Sequence, residues 1–189
     1  MPLPLSRLPT LWLRSIRPRT GCATALAIFA IAASVAPGFA DAKNNPACEQ
    51  SSWPLKRELE LFRDNLETVF SGATLGSVPE KGLVLELQPP MTVDNVLAPG
   101  GDPKPDTFAG VFLVKTVPKA GTYQVTASQD AWIDLIQDGK ALDLSAETLN
   151  PNCSDAPKSM RFHLEPGPLT VQISGASSNR IKLAISPVE

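Results

Sequence analysis

His163 is the only histidine in this chain, so any imidazole chemistry has to pass through it. It stands in the alternating run Met160-Arg-Phe-His-Leu164, and no Gly-x-Ser-x-Gly elbow occurs anywhere in the sequence. That elbow is the turn by which one large hydrolase class exposes its nucleophile, so His163 reads as a surface strand residue. Three carboxylates, Asp130, Asp134 and Asp138, lie close together; the face of a hairpin and its turn account for them without a glycosidase pair. No phosphate loop, CxxC or HExxH is present, and no cofactor is expected.

Binding chemistry is better represented. Trp132 and Asp134 sit two apart in Ala131-Trp-Ile-Asp-Leu-Ile-Gln137. If Ile133 and Leu135 point into a core, Trp132, Asp134 and Ile136 point out, and an exposed indole beside an acid can stack on a sugar or receive a cation. The opposite assignment places Trp132 and Ile136 in the core with Asp134 paired or at an edge. Trp53 is the second aromatic that could line a flat or grooved binding face. Asp102 and Asp106, in a loop rich in proline and glycine, could supply oxygen ligands to calcium; solvated loop acids are the plainer reading.

The elements that must position these residues are strands. Gly121-Thr-Tyr-Gln-Val-Thr-Ala-Ser128 is matched at an offset of 46 by Gly167-Pro-Leu-Thr-Val-Gln-Ile-Ser174. After a two-residue insertion, Ile133-Asp-Leu135 matches Ile181-Lys-Leu183. Another apolar run precedes each copy. Period-two alternation marks strands buried on one face. Met160, Phe162, Leu164, Leu169, Val171, Ile173, Ile181, Leu183 and Ile185 are expected inside, with Arg161, His163, Thr170, Gln172 and Lys182 in water. Two copies are too few for a solenoid; they fit two meanders facing each other. The predicted fold is all-β, an antiparallel, jelly-roll-like β-sandwich with one short N-terminal helix.

The chain divides into three parts. Residues 1–42 carry Arg7, Arg14, Arg17 and Arg19, then an uncharged run of 14 residues from Cys22 to Val35, then small residues around Ala40 and Ala42. Basic, apolar and small-residue regions in that order read as a secretory signal peptide; a membrane span needs about 20 apolar residues. Residues 43–82 hold the predicted helix, with a serine cap at Ser51-Ser52, proline in the first turn, and Leu55, Leu59, Phe62 and Leu66 on one side. It is expected to cover one end of the sandwich, and residues 66–82 to hold at most one short strand. Residues 83–189 form the sandwich, with Gly82–Gln88 a strand, 91–107 a long exposed loop, Asp138-Gly139 a hairpin turn and 145–157 a loop.

Removal of the leader leaves 13 basic residues against 18 acids, a net charge of −5. Such a surface disfavours nucleic acid. Of the cysteines, Cys48 and Cys153 remain, and an even pair in an oxidising compartment is most simply a disulfide. Inert thiols and a metal site are the alternatives, although two cysteines and one histidine fall short of the four ligands of structural zinc.

Strand, Pro118-x-Ala-Gly-Thr-Tyr123 turn, acid-bearing third strand, and a second copy ending in Ile181-x-Leu-x-Ile185 together resemble the bacterial pre-peptidase C-terminal domain over residues 108–187. The resemblance implies a secreted jelly-roll-like sandwich of the kind attached to exported proteases, which sometimes binds substrates or calcium. The mature chain is also similar to a group of small periplasmic proteins of unassigned function, through Cys48-x(4)-Trp-Pro-Leu55, Ala131–Gly139 and Gly167–Ala176. Some of that group carry the label homogentisate 1,2-dioxygenase. Iron chemistry of that type requires two histidines and a carboxylate, which His163 alone cannot provide. The expectation is therefore a periplasmic, non-catalytic binding or accessory module, with a periplasmic protein or a glycan as partner and no membrane contact after cleavage. A carbohydrate or cell-wall binding module and a small periplasmic hydrolase are the alternatives.

Overall fold

Alternation along a strand assigns each side chain to a face, and the strands of this chain obey it closely. The structure is a computed structural model describing residues 46–63, 65–95, 97–100 and 104–188. The predicted signal peptide lies outside the described residues. One α-helix, α1 (Lys56–Leu61), precedes eleven strands: β1 (Glu67–Phe70), β2 (Thr74–Leu75), β3 (Leu83–Glu86), β4 (Phe108–Val117), β5 (Gly121–Ala127), β6 (Trp132–Gln137), β7 (Lys140–Ala141), β8 (Leu144–Leu149), β9 (Lys158–Leu164), β10 (Gly167–Ala176) and β11 (Arg180–Pro187). They form a six-stranded sheet, β1-β3-β11-β5-β9-β8, and a five-stranded sheet, β2-β4-β10-β6-β7. All nine residues expected to face inward are buried in one core between the sheets.

The two copies of the repeat do not form two facing meanders. The strands β4, β5 and β6 of the first copy and β9, β10 and β11 of the second cross alternately between the sheets. One sheet therefore contains β4-β10-β6 and the other β9-β5-β11, each copy lending its middle strand to the other. Alternation fixes the buried face of a strand but is blind to its neighbour. The repeated glycine does mark the crossing: Gly121 and Gly167 open β5 and β10 with φ of 155° and 132°. A Cβ at either would meet nothing within 4 Å, so backbone conformation, not space, calls for glycine there.

The sheets are antiparallel except for one parallel pair near the edge of each, β1–β3 and β2–β4. Both parallel pairs use residues 67–75, where at most one strand was expected; the sandwich thus begins before residue 83. β8 occupies the first part of the predicted 145–157 loop. The hairpin turn between β6 and β7 is present, with Asp138 and Gly139 both at positive φ, 50° and 72°, the pattern of a type I′ turn.

Both outer faces carry a cover. The 46–63 segment lies on the outer face of the six-stranded sheet, not at one end of the sandwich: Leu55 and Phe62 pack with Ala184, Ala156 and the Cys48–Cys153 disulfide. Buried Glu58 accepts a hydrogen bond from the Ser186 hydroxyl at 3.2 Å. The helix is only six residues long and has no side-chain cap. The expected cap serines lie before the helix, whose N-cap position is Leu55; the Ser51 hydroxyl accepts from Asn150 Nδ2 and the Ser52 N–H donates to Thr148 Oγ1.

The 91–107 loop is not free in solvent along its whole length. Its Leu97 exchanges two hydrogen bonds with the Gln172 amide, N–H to Oε1 at 3.4 Å and Nε2 to C=O at 3.1 Å. The Gly100 N–H donates to Asp134 Oδ2 at 3.0 Å. Gln172, expected in water, is 0% exposed beneath this strap. A buried amide is tolerable only when hydrogen-bonded, and the strap backbone supplies the partners. The chain thus carries a disulfide, which fits an exported protein; among the described residues no helix is long and apolar enough to cross a membrane.

Candidate functional site

Trp132 opens β6 on the outward register. Ile133 and Leu135 enter the core while Trp132 stays 52% exposed. Its Cδ1 packs so near Gly175 that a Cβ there would lie 3.3 Å away. Glycine at 175, with φ of 70°, lets the indole lie against the backbone with much of its surface open.

The inward register of β9 runs Lys158, Met160, Phe162, Leu164, so a cation occupies a position that the pattern reserves for apolar groups. Lys158 has a side chain only 8% exposed, and its ammonium reaches Glu147 Oε1 at 3.0 Å and Asp130 Oδ1 at 3.3 Å. The same Nζ lies 5.3 Å from the centroid of the Trp132 ring, within cation–π range. A desolvated ammonium is stable only when paired; here two carboxylates and an aromatic face do the pairing. Both acids remain accessible, with side chains 61% and 38% exposed. Leu149, directly opposite Lys158 on β8, adds exposed apolar surface.

An open indole, one ammonium and two carboxylates therefore gather from β6, β9, β8 and the β5–β6 loop. The ring offers a stacking plane. The carboxylates accept hydrogen bonds from hydroxyls and the ammonium donates. This grouping suits recognition of a polar, ring-shaped ligand, and none of its members stands as a nucleophile beside a base.

The other candidate residues are dispersed. Asp134, expected beside Trp132 as a ligand group, uses its carboxylate to hold the strap through Gly100 and Gln172. Ile136 is outward in register yet buried. Trp53 is half-buried on the outer face of the other sheet, with its Nε1 donating to Ser159 Oγ at 3.4 Å and the Arg161 guanidinium 4.1 Å from its ring centroid. β9 separates the two tryptophans, turning Lys158 to one and Ser159 and Arg161 to the other. Asp106 is exposed and Asp102 lies outside the described residues; among the described residues no three His, Cys, Asp or Glu side chains converge on a metal position. His163 is exposed, with Nε2 3.3 Å from Glu165 Oε1.

Sequence reasoning missed Lys158 and Glu147. The signal was there for Lys158, a cation two residues before Met160 in an inward series. Glu147 had none, because the pattern of 145–157 reads as loop, whereas Leu144–Leu149 forms β8. Comparison with protein-family models gives no match, and comparison with curated proteins gives none either.

Proposed function

We propose that this chain is an exported, non-catalytic binding module of the periplasm that takes a glycan on the face centred on Trp132. The observation that carries the reading is the 52% exposure of Trp132 at a point where the Lys158 ammonium, itself paired with Asp130 and Glu147, lies over the ring. The basic, apolar and small-residue order of residues 1–42 supports export through a cleaved signal. The likeness of residues 108–187 to the pre-peptidase C-terminal domain supports an accessory role. A protein partner is the second reading, favoured by Leu144 and Leu149, which stand exposed on the edge strand β8.

Glycan binding is tested by titrating cell-wall oligosaccharides while following tryptophan emission. A stacked sugar should perturb Trp132, and Trp132→Ala should weaken binding about 30-fold, from roughly 2 kcal/mol of aromatic contact. Unchanged affinity in Trp132→Ala would remove the glycan reading. A partner crosslinked through β8 in its place would establish the second.

A further inference from the structure

Asp130 and Glu147 share a single ammonium, that of Lys158, at 3.3 and 3.0 Å. Two carboxylates against one cation leave a net charge of −1 beside the Trp132 ring. A carboxylate can accept about four hydrogen bonds, and the side chains of Asp130 and Glu147 are 61% and 38% exposed, so acceptor capacity remains on their solvent side. Asp134, on the same register as Trp132 along β6, accepts from the neutral Gly100 N–H and Gln172 amide and adds a second negative charge. Ser174 lies directly opposite Trp132 in the β6–β10 ladder. It is 1% exposed, and its hydroxyl oxygen meets no hydrogen-bond partner among the described residues. Buried hydroxyls are ordinarily paired, so a polar group from outside the chain belongs beside this ring.

Hydroxyl groups alone would leave the excess negative charge unmatched, whereas a ligand ammonium matches it. Lys158 demonstrates the fit: a primary ammonium set between two carboxylates and 5.3 Å from the indole centroid, within cation–π range. Granted the glycan reading of this face, we propose that the sugar it takes is an amino sugar with a free, unacylated amine. The sugar ring stacks on Trp132, and its ammonium donates to the solvent-side lone pairs of Asp130 and Glu147. An acetamido sugar brings no charge to those acids. An acidic sugar sets like charge against them, which is costly at an interface.

The purified exported protein is titrated by calorimetry with β-1,4-linked tetrasaccharides of glucosamine, N-acetylglucosamine and glucose. The glucosamine oligomer should bind about fivefold tighter than either neutral one at low salt, the yield of one well-placed ion pair. That margin should vanish in salt of about 1 M, where the screening length is only about 3 Å. Asp130→Asn and Glu147→Gln should each remove most of the margin and leave the neutral affinities in place. Glu165→Gln, just beyond the end of β9 opposite Lys158, removes one charge from a mature chain of net −5 and should leave the margin intact. Equal affinity for the three oligomers, lost in Trp132→Ala, would overturn the amine assignment and leave the glycan reading standing. Binding of none of them would overturn both. A margin that survives in both site variants, or that Glu165→Gln lowers as much as Asp130→Asn does, would reduce the preference to general attraction between opposite charges and overturn the amine assignment.

Discussion

Replacing both Cys48 and Cys153 with alanine should cost this protein a large share of its stability. The bridge joins residues 105 apart in sequence. In the chain-entropy account, a loop of that length restricts the unfolded chain by about 4 to 5 kcal/mol. The double substitution avoids a stray thiol and keeps two small apolar groups where Cys48 and Cys153 are now buried, so little packing loss should be added. Urea unfolding followed by tryptophan emission and by circular dichroism is the assay. With a slope near 2 kcal/mol per molar, the midpoint should fall by about 2 M, and the thermal midpoint by roughly 10 to 20 °C. The loss has a location as well, because the bridge anchors the 46–63 segment to the loop after β8; protease cleavage between Ser51 and Arg63 should rise more than cleavage in β5 or β10. A double variant within about 1 kcal/mol of the parent would refute the entropic reasoning. Undiminished protection of the segment would show that Leu55, Phe62 and Glu58 hold it unaided.

Two further substitutions probe the strap and the crossing. Gln172→Leu keeps the volume but leaves the Leu97 N–H and C=O without their partner, which should cost about 2 to 3 kcal/mol and speed hydrogen exchange at Leu97 and Gly100; unaltered exchange there would mean that the strap is held by other contacts. Gly167→Ala forces a side chain onto a φ of 132° and should lower stability by about 1 to 3 kcal/mol, read as a fall in the thermal midpoint, and Gly121→Ala should behave alike because it opens the equivalent strand.

The sequence by itself determined which side of each strand is buried. Met160, Phe162 and Leu164, like Leu169, Val171 and Ile173, needed only their alternation, since a strand side chain points to one face or the other. It also determined the Asp138-Gly139 hairpin and the cysteine pair, because turn conformation and redox pairing are local or composition-level properties. For Trp132 the sequence left the outward and the core assignment both open, and the structure took the outward one. Tertiary structure alone decided which strands are neighbours, interleaving the two repeat copies where adjacency in sequence suggested meanders. It alone decided that Gln172 and Ile136, outward in register, would be covered, and that Asp134 would hold a strap and leave Asp130 and Glu147 to accompany Lys158 and Trp132. These outcomes depend on contacts between residues tens of positions apart. Alternation has a period of two and carries no information at that range.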